Sequence, residues 1–70
     1  MKTGTKFFLN DQEYYGQGLF TVFDIVDYFA YNFSLLVVEY NHLICNKTSW
    51  KKIFIKNGDR IEIVTIVGGG

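Results

Sequence analysis

One segment of the chain has helical periodicity, and short apolar runs typical of strands lie on both sides of it. Its apolar residues recur at the spacing that places side chains on one face of a helix. These residues are Val22, Ile25, Val26, Phe29 and Phe33. We predict a helix from about Val22 to Tyr31. In a chain of 70 residues, one helix among several strands favours a single domain with the helix on one face of a sheet.

The start of this helix carries a sequence signal of its own. Thr21 precedes the periodic run, and Asp24 follows three residues later. A Thr hydroxyl accepts a hydrogen bond from a first-turn amide, while an acidic side chain at that distance accepts one from the capping residue. The acid also suits the positive end of the helix dipole. We therefore interpret Asp24 as a capping group and Asp27 as a solvated one, not as a catalytic carboxylate pair.

The flanking runs predict the remaining elements. Strand candidates are 6–9, 13–15, 35–40, 43–45 and 60–67, with a brief extended piece at 53–55 and an irregular loop or short helical turn at 46–50. Turn-forming residues separate them at Asn10-Asp11, Asn41-His42 and Lys56-Asn57-Gly58-Asp59. The predicted fold class is α+β, with a mixed sheet of four to five strands. We expect the last strand to lie beside the first, because the central position buries it best.

The last strand has two chemically different faces. Ile61, Ile63, Thr65 and Val67 alternate with Arg60, Glu62, Val64 and Ile66. If the helix covers one side of the sheet, Val64 and Ile66 are exposed on the other. Exposed apolar groups in a cluster often mark a docking surface. Val64 and Ile66 are therefore candidate partner-binding residues, and Arg60 and Glu62 are interpreted as ordinary solvated residues.

Charge and cysteine content exclude several classes of protein. Seven basic residues balance seven acidic ones, which argues against electrostatic binding of nucleic acid. No stretch approaches the roughly 20 apolar residues of a membrane span, and no secretory signal is expected. Cys45 is alone, so we expect no disulfide and a reducing compartment. The enrichment in Lys, Asn, Ile, Phe and Tyr resembles proteins of AT-rich genomes, including plastid genomes, so the expected location is a bacterial cytoplasm or a plastid stroma. We interpret Cys45 as a small buried residue and His42 as an exposed turn residue, and expect no metal, bound cofactor or autonomous catalytic site.

Three glycines, Gly68, Gly69 and Gly70, follow the last strand directly. We expect a domain over residues 1–67 and a flexible tail over 68–70. Glycine has no side chain, and three extended residues reach roughly 10 Å, so such a tail can enter a narrow active site. A carboxylate becomes an acylating agent only after activation, which ATP provides by adenylation. The chemistry would then belong to a partner enzyme, and a protein-interaction module with an inert tail remains an alternative.

Several segments resemble the ThiS family, the sulfur carriers of thiamine biosynthesis. They are 57–70, which includes the Gly58-Asp59 turn and the glycine end, then 37–41, Trp50, 9–12 and the helix start at 21–22. The resemblance covers nearly the whole chain. It implies a β-grasp, ubiquitin-like fold, in agreement with the predicted order of elements. One departure is His42, where the family often has glycine. A primed two-residue turn needs positive φ at both positions, and His tolerates this less well than glycine.

The resemblance also implies a mechanism. An adenylating enzyme of the ThiF type would activate the carboxylate of Gly70 with ATP, and sulfur from a persulfide donor would convert it to a thiocarboxylate. The thiazole synthase ThiG would take that sulfur. Gly69 and Gly70 match the functional motif. Gly68 is an extra glycine found in some members, and we expect it to contact the partner, as Val64 and Ile66 do. Two alternative functions would use the same kind of tail. They are the small subunit of molybdopterin synthase and a ubiquitin-like modifier attached to lysines.

Overall fold

The computed structural model describes residues 4–29 and 35–65. The strands are β1 (Thr5–Leu9), β2 (Gln12–Gly16), β3 (Leu36–Tyr40), β4 (Leu43–Cys45) and β5 (Asp59–Thr65), and the helices are α1 (Val22–Tyr28) and a 3₁₀ helix (Lys47–Lys52). Their order along the chain is the predicted one. The α+β class is confirmed, with five strands in one sheet.

The last strand occupies the centre of the sheet. The strands are ordered β2-β1-β5-β3-β4. β5 is parallel to β1 and antiparallel to β3, so the sheet is mixed. The physical reason is burial, since Ile61 and Ile63 are only 1% and 5% exposed. The predicted placement of the last strand beside the first is confirmed.

Helix α1 begins as predicted and ends earlier. The Thr21 hydroxyl accepts a hydrogen bond from the Asp24 N–H at 3.2 Å, and the Asp24 carboxylate accepts one from the Thr21 N–H at 2.9 Å. The predicted end at Tyr31 is wrong, because the helix ends at Tyr28 and Phe29 caps it. Periodicity reports which residues face the core, but it does not fix where the backbone leaves the helix. Phe33 lies outside the described residues.

The core lies between α1 and the inner face of the sheet. The buried apolar residues are Phe7, Leu9, Val22, Ile25, Val26, Leu36, Val38, Trp50, Ile55, Ile61 and Ile63. Trp50 comes from the 3₁₀ helix and is 2% exposed. Its indole N–H donates to the Cys45 carbonyl at 3.2 Å, which satisfies its polar atom. The single large residue of the polar 46–50 segment is therefore a core anchor.

Aromatic rings pack the β1–β2 hairpin against the helix. The Phe7 ring stacks on Tyr14 with a centroid distance of 5.8 Å and contacts Phe20 at 5.5 Å. Tyr14 in turn meets Phe29 edge to face at 5.2 Å. A domain of this size buries only roughly 60% of its unfolded surface, so large rings supply much of the available burial. This packing accounts for part of the high aromatic content.

The predicted brief extended piece at 53–55 is present, and the predicted strand at 60–67 differs at its start. Residues 53–55 form no strand of the sheet, although an isolated bridge joins Phe54 to Thr21. The backbone of this segment contacts the start of α1, where the Val22 N–H donates a hydrogen bond to the Ile53 carbonyl at 3.0 Å. The predicted strand 60–67 begins one residue earlier, at Asp59, and is described as far as Thr65. Residues 66 and 67 lie outside the described part.

Both hairpins turn through two residues with positive φ. The values are 50° and 66° for Asn10 and Asp11, and 50° and 73° for Asn41 and His42. This pattern is the primed turn whose twist matches that of paired strands. The primed turn therefore forms with His at position 42, where the family often has glycine. The cost is a left-handed conformation at a residue with a side chain.

Replacing His42 with glycine is expected to stabilise the fold. A left-handed conformation costs a residue with a side chain about 1–2 kcal/mol, whereas added freedom of glycine in the unfolded chain costs about 0.4–1 kcal/mol. The net gain should be about 0.5–1 kcal/mol in the free energy of unfolding, measured by urea denaturation. His42→Ala keeps the strain and serves as the control. A His42→Gly protein less stable than wild type would contradict the expectation.

Candidate functional site

The candidate site begins where β5 leads toward the C-terminal glycines. β5 is held on one edge by β1 and on the other by β3, whose pairing extends to Thr65 opposite Leu36. The chain therefore reaches the end of the sheet from its most firmly held strand. The predicted site residues Gly68, Gly69 and Gly70, together with Ile66, lie outside the described residues. Val64 is described.

An apolar patch lies on the outer face of the sheet, opposite α1. Val64 is 55% exposed, and its neighbour across the strand pair is the half-buried Val37. Ile44 of β4 is opposite Glu39 and is 71% exposed. Because residues two apart on a strand share a face, Val37, Ile44 and Val64 all lie on the outer face. Val37 and Val64 are directly paired and form the apolar patch, whereas Ile44 lies in the neighbouring row beside Glu39, which is opposite Glu62. Val64 thus lies exposed on the predicted face, beside residues that the sequence had not singled out.

The other end of the outer face is charged and partly ordered by Arg60. Its guanidinium lies over the Phe8 ring at 4.5 Å and contacts the Asp11 carboxylate at 3.3 Å. Both partners of this ion pair are exposed, so it contributes little to stability. The arrangement keeps the charge near the start of β5, and the apolar patch lies toward the end of the strand.

Asn10 was interpreted from sequence only as a turn former, and the structure gives its side chain a second contact. The Asn10 side-chain oxygen accepts a hydrogen bond from the Ile63 N–H at 2.8 Å. Its amide nitrogen donates to the Ile63 carbonyl at 3.2 Å. These partners are 53 positions apart in sequence, so no local pattern could have indicated the contact.

A buried carboxylate anchors the start of β5. Asp59 is 7% exposed and accepts hydrogen bonds from the Tyr40 hydroxyl at 2.6 Å, the Asn41 amide at 3.1 Å and the Lys56 N–H at 2.7 Å. Three donors satisfy a charge that would be costly to bury alone. Burial raises the pKa of Tyr40 to about 12, and both the hydrogen bond and the charge of Asp59 act in the same direction.

Tyr40 is expected to make stability depend on alkaline pH. Its pKa is about 12 in the folded protein and about 10 in the unfolded chain. The contribution is therefore complete below about pH 10 and is lost as the pH rises toward 12, a fall of about 1 kcal/mol after allowance for solvent screening. Urea denaturation at increasing pH should show a steeper loss for wild type than for Tyr40→Phe. Parallel curves would contradict this origin of the raised pKa.

Comparison with known families decides what kind of protein carries this site. The family model described as "ThiS family" matches residues 6–70. The chain belongs to the ThiS family. The match begins within β1, includes the other four strands of the structure and extends to Gly70. The fold is accordingly that of a ubiquitin-like sulfur carrier, the β-grasp fold that the resemblance implied.

Individual relatives agree with membership of the ThiS family. The uncharacterized protein ycf40 of Trieres chinensis is 56% identical over 70 residues, which are 100% of this chain and 96% of the relative. The uncharacterized protein ycf40 of Pyropia yezoensis is 30% identical over 46 residues, covering 66% of this chain and 65% of the relative. The crystal structure of thiamine biosynthesis protein ThiS from Geobacter metallireducens superposes with a TM-score of 0.80. It is 19% identical, and the match covers 94% of this chain and 100% of that one.

The family assignment supports a carrier role with adenylating and sulfur-transfer partners in general. Other candidate groups do not compete with the site at β5. Burial raises the pKa of the Cys45 thiol, which disfavours the reactive thiolate, and His42 is an exposed turn residue. Among residues 4–29 and 35–65, no three His, Cys, Asp or Glu side chains lie close enough to hold a metal ion. No helix within those ranges is long and apolar enough to cross a membrane.

Proposed function

We propose that this ThiS family protein carries sulfur on the carboxyl group of Gly70 for synthesis of the thiazole ring of thiamine. The observation that carries the proposal is the family match, which extends to Gly70. Gly68, Gly69 and Gly70 follow the central strand of the sheet. Residues 1–67 would form the domain and residues 68–70 the tail.

The chemistry proceeds in steps that partner enzymes catalyse. An oxygen of the Gly70 carboxylate attacks the α-phosphorus of ATP, which forms an acyl-adenylate and releases pyrophosphate. The terminal sulfur of a protein persulfide then attacks the acyl carbon and AMP leaves, which gives an acyl disulfide. A thiol reductant supplies two electrons, cleaves the sulfur–sulfur bond and releases the thiocarboxylate. This chain supplies the carboxyl group, and ATP is bound by the partner and not by the carrier.

A ThiF-type enzyme is the proposed adenylating partner. The apolar patch supplies a docking surface, with Val64 55% exposed, and Ile66 is proposed to extend it along the same row. Gly68 and Gly69 would let the tail lie in a narrow channel, because neither has a side chain to clash with the channel wall. Docking and tail insertion then use one continuous stretch of chain from Val64 to Gly70.

The proposed sulfur acceptor is the thiazole synthase ThiG. Support comes from the Tyr40-Asn41 and Trp50 segments that resemble the family and from the similar fold of a protein described as a thiamine biosynthesis protein. Molybdopterin synthase is the rival acceptor, because it receives sulfur from the same kind of tail. We place the carrier in the plastid stroma, since both relatives have ycf names, which are given to plastid genes.

The first experiment is the intact mass of the protein purified from its own cells under reducing conditions. We expect a species heavier by the difference between one sulfur and one oxygen atom. The same product should form from purified protein with ATP, a persulfide donor and the ThiF-type enzyme of the host. Failure to form it in that mixture would overturn the carrier proposal. Transfer of the sulfur to ThiG, and not to molybdopterin synthase, tests the acceptor.

A further inference from the structure

The pairing of β1 with β5 ends before β5 itself ends. β1 pairs with β5 as far as Leu9 opposite Ile61, and the Asn10 N–H adds one hydrogen bond to the Ile61 carbonyl at 2.9 Å. The chain then reverses, because Asn10 has a φ of 50°. The β1 backbone therefore cannot reach the next pair of backbone groups on this edge of β5, which belong to Ile63.

The Asn10 side chain takes the place of the missing strand residue. A primary amide offers a donor and an acceptor, as a peptide group does. Its oxygen accepts from the Ile63 N–H at 2.8 Å, and its nitrogen donates to the Ile63 carbonyl at 3.2 Å. The ladder thereby continues beyond the chain reversal. Ile63 is only 5% exposed. Removing the Asn10 side chain would leave the backbone N–H and carbonyl of Ile63 without this hydrogen-bond partner.

Ile63 is the last residue of β5 with a buried side chain. Val64 and Thr65 are exposed, and Gly70 is seven positions beyond Ile63 in the sequence. We infer that Asn10 is a positioning residue for the reaction at Gly70, because it fixes β5 at its last buried residue and so limits the directions in which the carboxylate is presented. This inference rests on the proposed function. Small errors in the placement of a reacting group lower the rate of reaction.

Asn41 provides a matched control. It occupies the same position in the other primed turn, with the same φ of 50°. Its side chain also holds β5, but at the start of the strand, where its oxygen accepts from the Arg60 N–H at 2.8 Å and its nitrogen donates to the Asp59 carboxylate at 3.1 Å. We call the side-chain hydrogen bonds from each turn Asn to β5 a clamp. Because glycine tolerates positive φ, Asn10→Gly and Asn41→Gly each remove one clamp and leave the turn conformation accessible. Only the first removes the clamp near the tail.

The kinetic test is ATP–pyrophosphate exchange catalysed by the host's ThiF-type enzyme, at a temperature where circular dichroism shows both variants folded. We expect kcat to fall about five-fold for Asn10→Gly, with KM within about two-fold because the apolar patch is intact, and both constants within about two-fold for Asn41→Gly. Equal losses in the two variants would overturn the positioning role, since they would report general destabilisation.

Amide hydrogen exchange tests the clamp without any partner enzyme. Asn10→Gly should accelerate exchange at the Ile63 N–H, and Asn41→Gly should accelerate it at the Arg60 N–H instead. Unchanged exchange at Ile63 would overturn the inference and leave the proposed function standing. If the wild-type chain is not adenylated, the proposed function fails and the positioning role fails with it, whatever the exchange shows.

Discussion

Adding one alanine after Gly70 is expected to abolish thiocarboxylate formation without unfolding the protein. The added residue moves the carboxylate away from the ATP phosphorus and places a side chain where the channel accepts glycine. Since effective positioning supplies much of the rate of such reactions, we expect the rate to fall by at least about 10³-fold. The measurement is ATP-dependent pyrophosphate release with the ThiF-type enzyme, followed by intact mass.

An alanine inserted between Met1 and Lys2 is the control for this change. It adds the same residue at the opposite end of the chain and should leave the rate within about two-fold of wild type. If the protein with the C-terminal alanine reacts as fast as wild type, Gly70 is not the reactive residue. The protein-interaction module with an inert tail would then be the favoured function.

Replacing Val64 with glutamate is expected to weaken docking on the adenylating enzyme by about ten-fold or more. A central apolar contact of an interface contributes more than about 1 kcal/mol, and a buried unpaired charge adds a further penalty. Val64 is 55% exposed, so the free protein should remain folded. The loss should appear mainly as a raised KM in the adenylation assay, because the tail itself is unchanged.

Leu19 offers the matched control for the docking prediction. It is 88% exposed and lies between β2 and α1, whereas the patch formed by Val37 and Val64 lies on β3 and β5. Leu19→Glu makes the same change in charge and should leave KM within about two-fold of wild type. A similar rise in KM for both variants would show that net charge, and not the outer patch, determines binding.

Local sequence was sufficient to predict most secondary structure. The helix start follows from the Thr21 and Asp24 pair, and the turns follow from Asn-Asp and Asn-His dipeptides between apolar runs, because these signals act over a few residues. The helix end was wrong by three residues, since the apolar period continues to Phe33 while the helix ends at Tyr28. The prediction that Arg60, Glu62 and Val64 share the outer face of β5 was also correct, because alternation along a strand is a local property.

The sequence by itself determined the fold class, the alternation of β5 and the glycine end that carries the proposed chemistry. Only the tertiary structure decided that Asn10 holds Ile63, that Asp59 is buried against Tyr40, and that Val37 lies beside Val64. The physical reason is sequence separation. Turns and caps are set by neighbouring residues, whereas these contacts form between segments that are brought together only when β5 enters the sheet between β1 and β3.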